Sequence, residues 1–166
     1  MQTLNVGAGR TDEEYKAAEE QRRADLQADS RSNANYFFVA AGLAALGTGL
    51  LPVRINIFVT IGVIDLLPFY GGPLFRLHPL MVYGAAAVWV FALVGLGFAA
   101  QKDHRWAFLA GVALYGADIV ALGLIFSFWS IGIHGFFVLK WFQGQKALKD
   151  LKEATTVAIS RTTAAV

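Results

Sequence analysis

Residues 106–141 read WAFLAGVALYGADIVALGLIFSFWSIGIHGFFVLKW, and the fold is decided by how this stretch is parsed. A first apolar run, 106–128, holds one charged residue, Asp118, near its middle. Trp129 and Ser130 interrupt it, and a second run, 131–142, carries His134. At about 1.5 Å per residue the first run is about 35 Å long, enough to cross a hydrocarbon core of about 30 Å. Trp106, Trp129 and Trp141 fall at the ends of the runs, where an indole keeps its ring in the headgroup layer and its N–H wet. The pattern predicts a membrane hairpin.

Outward from the hairpin, the same grammar repeats. Residues 80–100 form a second apolar run, separated from the third only by the short loop QKDHR, so these two are expected to be antiparallel neighbours. Residues 36–51 begin with the aromatic cluster Tyr36, Phe37, Phe38 and carry Ala41, Ala45 and Gly49 at the four-residue spacing that lets helix backbones approach. The run 55–67 would reach only about 20 Å as a helix and is closed by Pro68 and Pro73. It reads as a short re-entrant or interfacial helix. The expected fold is all-α: an integral membrane four-helix bundle over 36–148, with spans at 36–51, 80–100, 106–128 and 131–148. A polar helix in 1–35 precedes it and a tail, 149–166, follows.

The polar ends set the orientation. Of 14 Lys and Arg, 12 fall before Tyr36, in the 101–105 loop or from Lys140 onward, which places both termini in the cytoplasm by the positive-inside rule. A fifth span at 55–67 would break that rule. The N-terminal helix, expected from about Asp12 to Ser30, has only Tyr15, Leu26 and alanines for an apolar face, which suits a solvated or partner-binding helix. Lys146, Lys149 and Lys152 beside Leu148 and Leu151 make a basic amphipathic continuation of the fourth span. The 16% of charged residues is low for a soluble domain, and the net charge of +2 is the usual cytoplasmic excess rather than a nucleic-acid signature. There is no cysteine, so disulfides, thiolate metal sites and thiol redox chemistry are excluded.

RWAFLAGVALYGAD followed by SIGIHGFFVLKWFQGQKAL resembles the C-terminal half of small uncharacterised bacterial four-span membrane proteins. These share an Arg-Trp-Ala-Phe entry, a Tyr then an Asp in the third span and a Gly-x-His in the fourth. The resemblance covers the last third of the chain. It implies the bacterial inner membrane and carries no activity.

Four residues are candidates for an intramembrane polar site: Tyr115, Asp118, His134 and Asp65. An aspartate at a helix centre costs about 2.5–3.5 kcal/mol to insert, so Asp118 should face the interior with a partner. It reads either as a proton or cation relay or as a single buried contact that fixes helix register, and the second is preferred because relays need several such groups. His134 lies about four residues past the expected turn, which sets it about 10 Å or more above Asp118 and argues against direct pairing. Haem would need axial ligands at matching depth, and His78 and His104 lie at opposite ends. Asp65 is expected near the outer water boundary, within reach of Arg54 or His134. No nucleophile elbow, phosphate loop or metal-ligand pair at helical spacing is present, so no catalytic role, cofactor or metal is expected. The preferred function is a non-catalytic scaffold, assembly or accessory subunit that meets the lipid bilayer, a membrane or cytoplasmic protein partner, or further copies of itself. The alternative is a small proton- or ion-coupled transporter or channel using Asp118.

Overall fold

A computed structural model describes residues 12–50, 79–124 and 128–164, and within them the protein is all-α. There are four helices among these residues: α1, Asp12–Leu50; α2, Pro79–Gln101; α3, Arg105–Leu124; and α4, Phe128–Ala164. They close a ring in which α1 packs on α2 and α4, and α3 packs on α2 and α4. The short helix expected at 55–67 lies outside the described residues, as does Asp65.

Each helix buries one stripe. In α1 the sheltered positions step through Glu19, Arg23, Leu26, Ser30, Asn33, Phe37, Ala40, Ala44 and Gly47, alternating three and four residues. In α4 they step through Ser130, His134, Phe137, Trp141, Gly144, Leu148 and Leu151 in the same rhythm. A seam of period 3.5 is the pattern that keeps two helices facing over a long distance. It explains why Ala45 and Gly49 are exposed while Ala41 is buried. A strict four-residue row drifts around the helix, away from a 3.5-residue seam.

The polar N-terminal helix and the first span are one continuous helix. Asn33, in the expected handover, donates its side-chain N–H to the carbonyl of Asp29, and Ala34 is fully buried, so packing holds this weak helix former in place. The C-terminal tail is helical as far as Ala164. Its Thr155 and Thr156 hydroxyls donate to the carbonyls of Leu151 and Lys152, one turn back.

The α2–α3 corner fixes the level at which the ring ends. His104 N–H donates to Ala99 O and Asp103 N–H to Ala100 O, the double bond of a Schellman cap. Asp103 takes the left-handed conformation there, with φ of 62°, a place Asp tolerates better than most residues. Gln101 reaches across to Asn35 at 3.0 Å, which puts the corner level with Asn35 of α1. Beyond that level only α1 and α4 continue. The contacts Asn33–Gly144 and Arg23–Ala154, about 15 Å apart, show them running antiparallel as a two-helix stalk.

The body above the corner carries large apolar side chains inside and outside. Phe37, Leu93, Phe108, Phe137 and Trp141 are buried together with Ala40, Ala41, Ala44, Ala86, Ala100 and Ala107, while Val88, Phe91, Val120, Phe128, Trp129 and Leu139 are more than 60% exposed. Among the described residues one stretch, Tyr83–Gln101, is long and apolar enough to cross a membrane, and only 28% of it is buried inside the fold. α3 is apolar apart from Arg105 at its start and Asp118, and the apolar parts of α1 and α4 are shorter, about 22 Å each. Trp106 and Trp129 are exposed at the ends of α3 and α4, but Trp141 is not an interfacial anchor. It is fully buried because position 141 falls on the α4 seam, where its ring stacks on Phe37 at 4.2 Å.

Candidate functional site

The buried polar groups of the body converge at one level. α3 ends at Leu124 and α4 begins at Phe128, so Asp118 and His134 each lie six residues from the reversal. Equal offsets on antiparallel helices put them opposite one another. His134 Nε2 is 3.6 Å from Asp118 Oδ2, and both side chains are at least 96% buried. The expectation that they would stand about 10 Å apart is therefore overturned. It took the first apolar run as helical to Phe128 and the turn as Trp129–Ser130, which shifted His134 outward by more than a turn relative to Asp118.

Tyr115 completes the group. It sits one turn before Asp118 on the buried face of α3, and its ring centre is 4.7 Å from that of His134 and 4.7 Å from that of Trp141. Trp89 of α2 lies across Tyr115 with centroids 6.3 Å apart. Phe37 of α1 stacks on Trp141, so a connected set of aromatic rings from all four helices reaches His134 through Tyr115. Gly111 makes this possible. A Cβ there would fall 2.6 Å from the Phe37 ring and 2.8 Å from that of Trp141.

The second ring nitrogen of His134 is committed. Nδ1 lies 2.8 Å from the backbone oxygen of Ser130, one turn earlier in α4. Asp118 Oδ2 and His134 Nε2 have no hydrogen-bond partner within 3.5 Å, each having only the other just beyond that reach. No family model, curated protein or solved structure matches the chain. The geometry therefore has to carry the functional reading by itself.

Three of the four expected site residues, Tyr115, Asp118 and His134, come together, and Asp65 lies outside the described residues. Sequence reading did not find Trp89 and Trp141 as the aromatic neighbours of Tyr115. The signal for Trp141 was available, since 134, 137 and 141 share the spacing of one helix face. Among the described residues no group of three His, Cys, Asp or Glu side chains could hold a metal ion. Among the described residues two surface grooves flank the body. One, of about 440 Å³, lies between α1 and α4 against Val39, Leu43, Trp129 and Phe136. The other, of about 330 Å³, lies between α1 and α2 against Gly49, Tyr83 and Phe91. Both are apolar, and neither is lined by Asp118 or His134.

Proposed function

We propose that the protein is a non-catalytic accessory or assembly subunit of a bacterial inner membrane. Its four-helix body sits in the bilayer and its two-helix stalk is carried into the cytoplasm for a protein partner. The observation that carries this reading is the large apolar side chains on the outside of the body. Phe91, Phe98, Leu109, Phe128, Trp129 and Leu139 face outward, while alanines such as Ala40, Ala41, Ala44 and Ala86 are buried between the helices. A soluble monomer rarely shows so large an apolar surface, whereas lipid favours large residues outside and close backbone contacts inside. At the corner level, Lys140 lies 5.4 Å from the Tyr36 ring centre and 5.8 Å from that of Phe136, its amine positioned to reach the headgroups while its stem stays apolar. Spans shorter than the usual hydrocarbon thickness are accommodated by local thinning of the bilayer. The resemblance of residues 105–148 to small four-span inner-membrane proteins supports the same location.

A transporter would need water to reach Asp118. Asp118 is only 3% exposed, and the two apolar grooves among the described residues are not lined by it, which favours the accessory reading over ion or proton coupling. The test is extraction of the native membrane fraction. The full chain should stay in the pellet through alkaline carbonate and high salt and leave it only with detergent. Release by carbonate alone would refute the membrane-embedded body. Proton or ion flux in vesicles that is lost in a folded Asp118→Asn variant would replace the accessory role with the transporter.

A further inference from the structure

The interior of the body has few groups able to exchange a proton. Between Phe37 and Leu50, Gly84 and Gln101, Trp106 and Leu124, and Phe128 and Leu139, the ionisable side chains are Tyr115, Asp118 and His134. The helices packed around the pair thus face it with Tyr115 from α3 and with no charge from α1 or α2. What Asp118 and His134 can do is set by hydrogen positions, and the backbone fixes one of them. The Ser130 carbonyl can only accept, so the 2.8 Å contact requires His134 Nδ1 to carry a hydrogen. In the neutral ring Nε2 is then a bare acceptor. It points at Asp118 Oδ2, which as a carboxylate oxygen is another acceptor.

Two buried acceptors facing each other at 3.6 Å, each without another partner, are a conflict that a single proton removes. With the proton on Oδ2, the carboxylic acid donates to Nε2 once the two atoms close from 3.6 Å into hydrogen-bond range. With it on Nε2, an imidazolium pairs with a carboxylate. Either way the pair has no net charge, which is the state a sealed apolar interior tolerates best. A metal cation is a poor substitute, since Mg²⁺ or Ca²⁺ asks for about six oxygen ligands and two donors are present.

We propose that Asp118 and His134 form a binding site for one proton, held between Oδ2 and Nε2, and that this proton joins α3 to α4 at mid-body. Because both side chains are sealed, the proton leaves or enters only when α3 and α4 part. Proton occupancy and the packing of these helices are therefore one equilibrium. The proposal rests on burial and hydrogen-bond geometry and is independent of the accessory role.

The test is nitrogen NMR of ring-labelled histidine in the full-length protein, held in detergent or bilayers. His78→Gln and His104→Gln substitutions leave His134 as the sole signal. The expected spectrum has a directly protonated Nδ1 and an Nε2 in a strong hydrogen bond or protonated. Asp118→Asn should turn Nε2 into a plain acceptor from the amide and hold the melting temperature near that of the parent. Asp118→Leu strands Nε2 and should melt about 3–10 °C below the Asn variant. A hydrogen on Nε2 with a bare Nδ1, a free unbonded Nε2 in the parent, or equal melting of the Asn and Leu variants would each overturn the proposal. If both variants fail to fold, the parent spectrum still decides.

Discussion

Gly111 in the body and Gly144 at the start of the stalk show how little room a single position has in this fold. A Cβ on Gly144 would lie 2.5 Å from the Phe108 ring and 3.0 Å from Asn33 Cβ. The Phe108 ring is fully buried and cannot swing into solvent, and Phe37 beside Gly111 is held by its stack on Trp141. Gly→Ala in a helix gains up to about 1 kcal/mol in propensity, but overpacking a tight core costs about 1–3 kcal/mol. The clash wins. Gly111→Ala and Gly144→Ala should each lower stability by about 1–2 kcal/mol, measured by thermal or denaturant unfolding in mild detergent, and an unchanged midpoint would show that the helices separate freely there. That Asp118 faces inward was legible from its insertion cost. Its partner was not, because pairing across a hairpin depends on where the chain reverses, and an apolar run continuous to Phe128 conceals a helix end at Leu124. The structure also changes what a substitution means. Without a partner, Asp118→Leu would be harmless or stabilising; with Nε2 of His134 opposite, it strands a buried acceptor.

At the scale of elements, the stalk is the least obvious feature of the chain. Its α1 strip is Glu19, Arg23, Leu26, Gln27 and Ser30, which hydropathy reads as a weak face, and the seam emerges only when α4 supplies Ala147, Leu148, Leu151 and Ala154. The expected unpartnered helix thus has its partner within the chain. The pairing is reinforced at its margins by Arg23, which donates to Ala154 O at 3.3 Å and lies 3.6 Å from Glu19. Ser30 is fully buried, and its hydroxyl has no hydrogen-bond partner. Removing an unsatisfied buried hydroxyl relieves about 1 kcal/mol, and alanine is the better helix former, so Ser30→Ala should stabilise the stalk. Leu148→Ala removes the largest buried aliphatic side chain of the stalk and should cost about 2–4 kcal/mol. Hydrogen exchange of α1 and α4 amides beyond the corner should slow in the first variant and quicken in the second. Opposite or equal changes would mean that the seam does not hold the stalk together.

For the whole molecule, the stalk bears on topology in a way that charge counting alone does not. α1 and α4 run antiparallel with their polar halves side by side, so Asp12 and Ala164 lie at the same end of the fold whatever surrounds it. The α2–α3 corner, with Lys102 and Arg105, ends the body on that side as well. The charge pattern assigns 12 of the 14 basic residues to one side, and the helix directions independently gather those of them that lie in the described helices there. If that side is the cytoplasm, the positive-inside rule is met with both termini in the cell. The segment joining α1 to α2 must then be reached from the other face. Single cysteines are clean reporters because the native chain has no thiol. Tyr70→Cys and Asn56→Cys should react with an impermeant reagent applied from outside, while Thr155→Cys, exposed on the stalk, should react only after the membrane is opened. Labelling of Thr155→Cys from outside would invert the orientation. Labelling of Tyr70→Cys only from the cytoplasm would mean that 55–67 crosses the membrane, a crossing that would carry α2 to α4 to the wrong side of the charge rule.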